Sequence, residues 1–330
     1  MPKSRKIILS TIALFGILSG GSFWYFHKYD TRDYEHRGFF PLPILKPEWE
    51  RKIITGQVLK IGLITDTHIH PNRIDRNNKA DDAPRILNEK DVDVFNKFNR
   101  QMEKFEPEIL IHLGDIIEGT NDEDFVGIMG LELAMEEMKK IGLPVYALIG
   151  NHELRSVTKD QFKEVMQADD LNYIVDKGDY RLIFLDANYD AEGNDIIPGK
   201  HYLQGHLPEN ILIWLEESLK TDKRVFVFMH QAAFDRDMPG EEGRMKLSID
   251  NAEVLRGVLE KYNAEAIFSG HIEVKFYEEK DGVRYYSLPG TKKSKLYPQS
   301  YYEITIDGAE PDVAMFYTEK ESGEEKIIDF

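Results

Sequence analysis

Short runs of apolar residues recur along the chain from residue 57 onward. Most of these runs are unbroken rather than alternating, which is typical of strands buried on both faces of a parallel sheet. Between them, apolar residues recur three and four positions apart, which indicates amphipathic helices. The predicted strands are residues 58–65, 109–113, 145–149, 182–185, 225–229 and 264–268. The predicted helices are residues 92–105, 131–141, 211–219 and 252–262.

The last part of the chain has a different pattern, because short strands follow one another there with only brief turns between them. Predicted strands occupy residues 274–279, 283–288, 301–306 and 313–318, with turns at 280–282 and 307–308. No repeat or low-complexity tract interrupts the series. The whole pattern predicts an α/β fold in one continuous domain, residues 57–330.

Five of the predicted strands are each followed, within three residues, by side chains that can bind a metal ion. In chain order these are Asp66, His68, Asp115, Asn151, His152, His230 and His271. Any one of them alone is more often an ordinary polar residue. Ligands of open α/β sheets gather at the carboxyl ends of the strands, so the five strand ends together predict one converging site. Mixed imidazole, carboxylate and amide ligands suit Mn, Fe, Zn or a similar divalent metal.

The N-terminus contains twenty uncharged residues, 7–26, directly after Lys3, Arg5 and Lys6. As a helix rising 1.5 Å per residue, this run spans about 30 Å, the thickness of a bilayer's hydrocarbon core. The aromatic residues 23–26 at its end are typical of a membrane interface. Residues 1–26 are therefore predicted to be a single-pass membrane anchor, with a cleaved signal peptide as the alternative.

The short basic head favours an N-terminus inside the cell and a large domain outside the cytoplasm, although Lys28, Arg32 and Arg37 nearly balance it. Residues 27–56 are polar and then proline-containing, which predicts a linker.

The charge of the chain bears on its partners. The first 26 residues carry three cations and no acid, so the formal net charge of −17 leaves −20 for the rest. Such a charge repels nucleic-acid backbones, which makes nucleic acid an unfavourable partner. The chain has no cysteine, which excludes disulfides, thiolate metal sites and cysteine nucleophiles.

The ordered motifs DxH, GD, GNH, H and GHx resemble those of the calcineurin-like metallophosphoesterases, over about residues 57–290 of this chain. The resemblance implies an αββα four-layer sandwich and a site for two divalent metal ions. By match of motif, the first metal is held by Asp66, His68 and Asp115. Asp115 then bridges to a second metal held by Asn151, His230 and His271.

Glu273 departs from the family pattern, because it stands where the motif GHxH has its second histidine. If Glu273 is the remaining ligand of the first metal, a carboxylate oxygen replaces an imidazole nitrogen. The site is then harder and favours Mn or Mg, and manganese is the expected metal. The alternative is that Glu273 lies on a polar strand face and the first metal binds weakly.

Two residues beyond the ligand set are candidates for proton transfer to the leaving group. His152 is expected to protonate the leaving oxygen as a general acid. Glu118 stands three residues after Asp115, where phosphatases resembling this chain often have the second acid of GDxxD. There the acid orients the histidine of GNH, so Glu118 is expected to hold His152. The alternative for Glu118 is a solvated glutamate at the start of a helix.

Arg155 lies in the segment GNHELR, which is similar to GNHExR of protein phosphatases and GNHDxR of cyclic-nucleotide-type phosphodiesterases. A guanidinium there can clamp substrate oxygens bidentately. The alternative is a surface salt bridge to Glu153 or Asp160. Gly119 stands where the protein phosphatases have an arginine, which argues against that group.

These residues predict a hydrolase of phosphate mono- or diesters that uses two metals and a bridging hydroxide as the nucleophile. The expected substrate is a small-molecule or lipid-type phosphoester outside the cytoplasm. Its specificity is expected to lie in loops 71–90, 188–206 and 231–250, whose cations include Arg73, Arg76, Arg236 and Arg244. A nuclease of the same family and a non-catalytic binding module with the same fold are the alternatives. His70, His112, His201 and His206 match no motif and are interpreted as ordinary polar residues.

Overall fold

The structure is a computed structural model. It describes residues 56–70, 87–119, 124–199, 204–234, 247–308 and 310–330. The predicted anchor at residues 1–26 and nearly all of the predicted linker lie outside the described residues, as do the four loop arginines named above. Within the described residues, no helix combines the length and the apolar character needed to cross a bilayer.

Twelve strands and five α-helices make up the described part of the chain. The strands are β1 (Val58–Ile64), β2 (Ile109–His112), β3 (Val145–Ala147), β4 (Tyr173–Lys177), β5 (Tyr180–Leu185), β6 (Arg224–Met229), β7 (Ala266–Ser269), β8 (Phe276–Lys280), β9 (Val283–Ser287), β10 (Tyr301–Asp307), β11 (Pro311–Thr318) and β12 (Glu325–Asp329). The helices are α1 (Glu89–Phe105), α2 (Asp124–Met138), α3 (Lys159–Met166), α4 (Glu209–Leu219) and α5 (Ala252–Lys261). Short 3₁₀ turns cover Lys139–Ile141 and Glu153–Arg155.

The strands form two mixed six-stranded sheets. Sheet I has the order β12-β11-β10-β1-β2-β3, and sheet II has the order β4-β5-β6-β7-β9-β8. In sheet I, β1, β2 and β3 are parallel, whereas β10 pairs antiparallel with β1, with Ile61 opposite Ile304. In sheet II, β5, β6, β7 and β9 are parallel, and β4 and β8 are antiparallel edge strands. The C-terminal strands are thus shared between the two sheets.

The two sheets pack face to face, and helices cover their outer faces. One buried cluster joins Ile61 of β1 with Phe226 and Phe228 of β6, so it lies between the sheets. The alternate residues Val225 and Val227 of β6 instead pack with side chains of α4 and α5. Another cluster packs α1, α2 and α3 against sheet I. This alternation is what strands buried on both faces require, and it produces the predicted four layers.

Helix α1 shows how local sequence fixes one of these layers. The side chain of Asn88 caps the helix by accepting a hydrogen bond from the amide of Asp91 at 3.0 Å. Phe95, Phe98 and Met102 recur at helical spacing, and all three are fully buried against sheet I. The packing of α1 thus follows from its pattern of apolar positions.

Every predicted strand and helix is present, with ends that shift by a few residues, except that α2 begins earlier, at Asp124. Three elements were not predicted: α3, β4 and β12. Strands β4 and β12 lie at sheet edges, and their residues alternate between exposed and half-buried. Strands β4 and β12 bury little apolar surface, so they lack the unbroken apolar runs by which the central strands were found.

Candidate metal centre and active site

The predicted site residues come from the ends of five strands in both sheets. Asp66 and His68 follow β1, Asp115 follows β2, and Asn151 and His152 follow β3 of sheet I. His230 follows β6, and His271 and Glu273 follow β7, which are neighbouring strands of sheet II. The structure brings all these side chains together in three overlapping groups with potential ligand atoms within 4.8 Å of one another, and Asn151 joins them through His230.

The first part of the centre surrounds the Nε2 atom of His68. Three carboxylate oxygens lie around it: Oε1 of Glu273 at 3.5 Å, Oδ1 of Asp66 at 3.8 Å and Oδ2 of Asp115 at 3.8 Å. Ligands that each lie about 2 Å from one ion lie about 3–4 Å from one another. Oε1 of Glu273 is buried and has no hydrogen-bond partner. These atoms therefore fit a divalent cation among them.

The second part of the centre surrounds the Nε2 atom of His230. The Nδ1 atom of His230 lies 3.0 Å from the carbonyl oxygen of Leu113, which places a ring proton on Nδ1. Its Nε2 atom faces Oδ1 of Asp115 at 3.3 Å and Oδ1 of Asn151 at 3.2 Å. Burial opposes the charged form of His230, but the neighbouring Asp115 raises its pKa to about 9, so a cation at this place would replace the proton on Nε2. The deprotonated Nε2 and the two oxygens converge and fit a second cation, with His271 beside them.

The backbone at these ligands is unusual. Asp66, His68, Asp115, His271 and Glu273 all have positive φ, between 40° and 67°. Few non-glycine residues adopt this left-handed region, and those that do cluster at functional sites. Glu273 thus has the same left-handed backbone conformation as the predicted ligands that match the family motifs.

The space around Glu273 is adapted to a carboxylate. Its Oε2 atom accepts a hydrogen bond from the amide of Gly290 at 3.0 Å. A β-carbon at position 290 would lie only 2.3 Å from that oxygen and 2.5 Å from the β-carbon of Asp66. Only glycine at position 290 leaves room for the Glu273 side chain in this place, so the side chain points into the centre and does not lie on a polar strand face.

The charges of the centre are unbalanced in the absence of cations. Burial raises the pKa of Asp66 to about 6 and raises the pKa of Glu273 well above its usual value, and neighbouring carboxylates add to both effects. Burial also opposes ionisation of Asp115, but the adjacent His230, His152 and His68 hold its pKa well below the usual range. Because several buried carboxylates compete for few positive charges, two dications would complement this set.

The contacts of His152 differ in detail from those predicted. Its Nδ1 atom lies 2.6 Å from the backbone carbonyl of Glu118, while the nearest carboxylate oxygen of Glu118 is 3.6 Å away. The backbone of Glu118, rather than its carboxylate, therefore orients the ring. Since Nδ1–H donates to this carbonyl, the Nε2 atom presents a lone pair towards Asp115, 3.8 Å away. Burial lowers the pKa of His152 to about 4, with Asp115 opposing and Lys293 and Arg155 reinforcing the effect.

The Glu118 carboxylate instead contacts a different histidine and two cations. Its oxygens lie 3.3 Å from Nδ1 of His68, 2.8 Å from Nζ of Lys293 and 3.4 Å from Nη1 of Arg155. A carboxylate behind the non-ligating nitrogen of a metal-binding histidine is a common way to orient that histidine. Glu118 is 23% exposed in its side chain, so it is neither fully solvated nor buried.

Arg155 pairs with Glu118. Among the described residues, it forms no ion pair with Glu153 or Asp160, the partners expected for a surface salt bridge. Its Nη1 atom lies 3.3 Å from the carbonyl oxygen of Glu118. Nearby, Gly119 has a φ of 60°, and a β-carbon there would lie 2.0 Å from the carbonyl oxygen of His152. Position 119 thus has no room for an arginine, in agreement with the argument against the protein-phosphatase group.

Two buried residues position the site and were not recognised as such in the sequence. The carboxylate of Glu153 accepts hydrogen bonds from the amides of Asp115 at 2.9 Å, Ile117 at 3.0 Å and Gly150 at 2.6 Å. It thereby ties the turn after β2 to the turn after β3. Its place next to GNH is the one signal in the sequence that could have identified it.

His112 links the turns after β1 and β2. Its Nε2 atom lies 3.0 Å from the hydroxyl of Thr67, which donates a 2.8 Å hydrogen bond to the carbonyl of Ile116, while its Nδ1 atom accepts from the amide of Gly114 at 3.2 Å. His112 is fully buried, and burial lowers its pKa to about 3, so it is neutral. It is therefore a positioning residue behind the ligands, and not merely an ordinary polar residue.

The chain is thus an α/β protein with two mixed sheets between layers of helices. The carboxylates and histidines at its strand ends are arranged so that they could hold metal ions. Residues 59–274 match the family model described as calcineurin-like phosphoesterase, and the chain belongs to that family. The family predicted from the motifs is thereby confirmed, and the predicted enzyme class, a phosphoric ester hydrolase, agrees with it.

Comparisons with individual proteins agree with this family. The chain is 29% identical over 180 residues to the "Probable glycerophosphodiester phosphodiesterase GpdQ" of Arcobacter nitrofigilis. The aligned part covers 51% of this chain and 58% of that protein. The chain is also 34% identical over 58 residues to the "Manganese-dependent ADP-ribose/CDP-alcohol diphosphatase" of Xenopus laevis. That aligned part covers 18% of this chain and 16% of that protein. The chain thus matches less than two thirds of either relative.

A crystal structure of a dimetal phosphatase from Danio rerio has the same fold. The two structures superpose with a TM-score of 0.58 at 18% sequence identity, over 82% of this chain and 99% of the other.

Proposed function

We propose that this protein is a metal-dependent phosphodiesterase that hydrolyses small-molecule or lipid-type phosphodiesters, or the related diphosphates. The observation that carries the proposal is the convergence of the carboxylate, imidazole and amide ligands at the carboxyl ends of strands from both sheets. The two curated relatives are named for phosphodiester and diphosphate bonds. In both kinds of bond, phosphorus carries two substituents, which favours a diester over a monoester as the substrate.

In the proposed site, one dication is held by Asp66, His68, Asp115 and Glu273, and the other by Asp115, Asn151, His230 and His271. When bound, such ions polarise the phosphoryl oxygens and lower the pKa of water. The oxygen-rich ligand set, with three carboxylates and one amide, favours manganese over zinc. The name of the Xenopus laevis relative, which includes manganese, supports the same preference.

The protein groups around the ions have separate roles. His152 is oriented by the carbonyl of Glu118, so that its Nε2 atom faces the ligand cluster where the substrate phosphorus would lie. Glu153 ties the turn that carries Asp115 to the turn after β3, and His112 ties it to the turn after β1. The side chain of Arg155, 12% exposed, is available to a substrate oxygen beside Glu118.

The proposal is tested by metal content and by hydrolysis of bis-p-nitrophenyl phosphate and p-nitrophenyl phosphate with Mn, Mg and Zn. Wild type should bind two ions per chain and turn over the diester faster than the monoester. Asp115→Asn should lower turnover by at least about 10³-fold and reduce the metal content, because it removes the charge shared by both ions. The control is Asp93→Asn, since Asp93 is a half-exposed residue of α1 that pairs with Lys97. A metal-loaded wild type that hydrolyses neither probe contradicts the proposal.

We also propose that residues 1–26 anchor the protein in a membrane, with the catalytic domain outside the cytoplasm. The support is the uncharged run of residues 7–26 after three cations. Full-length protein should remain in the membrane fraction after carbonate extraction, and a chain that begins at residue 40 should not. Added protease should reach the domain in intact cells. A mature N-terminus near residue 22 would instead identify a cleaved signal peptide.

A further inference from the structure

Lys293 lies at the rim of the centre, in a segment that no motif covers. Its Nζ atom is 3.4 Å from Nε2 of His152 and 2.8 Å and 3.1 Å from the two carboxylate oxygens of Glu118. Its side chain is 39% exposed, whereas that of His152 is 8% exposed. Lys293 is therefore both open to solvent and in contact with a buried group that faces the predicted metal ligands.

The backbone next to Lys293 is fixed to the ligand-bearing turn after β1. The amide and the hydroxyl of Thr291 both donate to the carbonyl of Thr65, at 3.0 Å and 2.9 Å. The amide of Lys292 donates to the carbonyl of Asp66 at 3.2 Å, and its ammonium donates to the carbonyl of His68 at 2.7 Å. The segment that carries Lys293 is thus hydrogen-bonded to the turn that carries the predicted ligands Asp66 and His68. These bonds fix the position of Lys293 relative to those ligands.

The charge around Lys293 favours an anionic ligand. Lys293 and Arg155 both contact the carboxylate of Glu118, so this one anion does not neutralise both cations. An exposed lysine–glutamate pair by itself contributes at most about 1 kcal/mol to stability, so stability alone gives little reason for this arrangement. In a chain whose overall charge is strongly negative, a local cation also assists the approach of a phosphoester.

The position of His152 indicates which substrate atom Lys293 would meet. The Nε2 atom of His152 faces Asp115 at 3.8 Å, and Nζ of Lys293 lies 3.4 Å from that Nε2 atom. Since the two nitrogens are this close, one oxygen can lie within hydrogen-bond distance of both. A substrate oxygen held between them therefore meets the ammonium of Lys293.

We infer that Lys293 contacts the substrate and that its ammonium stabilises the leaving oxygen of the phosphoester. This inference rests on the proposed function. In hydrolysis, the oxygen of water forms a bond to phosphorus, the bond from phosphorus to the leaving oxygen breaks, and the electron pair remains on the leaving oxygen. A proton from water ends on that oxygen as the alcohol departs. A nearby ammonium lowers the energy of the transition state while the negative charge develops.

The test compares Lys293→Met with Lys293→Arg and with the control Lys295→Met, an exposed lysine two residues away that undergoes the same loss of charge. The probes are methyl p-nitrophenyl phosphate and methyl phenyl phosphate, which differ in the acidity of the leaving phenol. The assay is run on full-length, manganese-loaded protein, and the metal content of every variant is measured.

Lys293→Met should lower kcat for the phenyl ester by about 10- to 100-fold, less than the loss of a fully buried oxyanion donor because Lys293 is partly exposed. The loss for the nitrophenyl ester should be several times smaller, because the better leaving group carries less developing charge. Lys293→Arg should restore most of the rate, Lys295→Met should stay within about twofold of wild type, and all variants should keep two metals.

Three results for Lys293→Met would each show that Lys293 is not at the leaving oxygen: equal losses of kcat for both esters, a change in KM alone, or a loss of metal. If Lys293→Met is as active as Lys295→Met, Lys293 is likewise not at the leaving oxygen, but the proposed function stands. A loaded wild type that hydrolyses neither ester would contradict the proposed function itself.

Discussion

The hydrogen bonds of Glu153 allow the stability of the site to be predicted quantitatively. Glu153 is completely buried, and its two oxygens accept three backbone N–H groups, two on Oε2 and one on Oε1. In Glu153→Gln, the amide oxygen can keep the amides of Asp115 and Gly150, but the new NH₂ group faces the amide of Ile117. One buried donor then loses its acceptor, which costs about 1–3 kcal/mol, with the upper part of the range expected because two donors face each other.

Truncation of the same side chain should have a larger effect. Glu153→Ala leaves all three N–H groups without an acceptor, so it should destabilise the protein by at least about 3 kcal/mol. Both changes also release the turn that carries Asp115, so manganese affinity should fall in the same order, with alanine below glutamine.

Urea denaturation of the metal-free and the manganese-loaded protein measures these effects, and calorimetric titration measures metal affinity. Glu164→Gln on α3 is the matched control, because Glu164 is exposed and its change should stay within about 0.5 kcal/mol. If Glu153→Gln is as stable as this control and binds manganese as tightly as wild type, then Glu153 does not hold the two turns together.

Glu273→Ala should reduce the metal content to nearly one ion per chain. Glu273→His should shift the metal preference from manganese towards zinc, because it exchanges an oxygen ligand for a nitrogen ligand. An unchanged metal content and rate in Glu273→Ala would exclude Glu273 as a ligand. Manganese affinity should rise with pH through about 6 and continue to rise above it, because the metal must displace protons from Asp66, whose pKa is raised to about 6, from Glu273, whose pKa is also raised, and from His230, whose pKa is raised to about 9. A flat profile between pH 5 and 7 in calorimetric titration would contradict this. Thr67→Val should destabilise the protein by about 1–3 kcal/mol, because it leaves the buried ring N–H of His112 without a partner, whereas the carbonyl of Ile116 keeps the amide of Ile69. A urea midpoint equal to that of wild type would refute the positioning role.

The sequence predicted the parts of this molecule that bury apolar surface or carry a motif. Unbroken apolar runs identified the central strands, and the polar residues after them are the predicted ligands, which the structure brings close together. The edge strands β4 and β12 were not predicted, because each buries little of its surface. The pairing of β10 with β1 could not be read from either segment, since the two lie far apart along the chain.

Contacts inside the site were predictable only where a motif fixed the residue. The carboxylate of Glu118 was expected to hold His152, whereas the structure places its backbone carbonyl there, because the path of the backbone decides which oxygen makes the contact. The same limit explains Lys293, because a lysine in a polar loop has no local signal until folding brings it to His152. His112 was missed for a similar reason, since its partners belong to two separate turns.

The antiparallel pairing of β10 with β1 has a consequence for the order in which the protein matures. Val58 lies opposite Asp307, so sheet I cannot close until nearly the whole chain has been synthesised. Contacts between such distant segments form slowly, because a long loop must be ordered first. The turn that carries Asp66 and His68 is held in part by Thr291, so it too waits for the C-terminal strands. Nascent chains should therefore acquire metal ions only after synthesis is almost complete, and chains halted before residue 300 should bind manganese weakly or not at all.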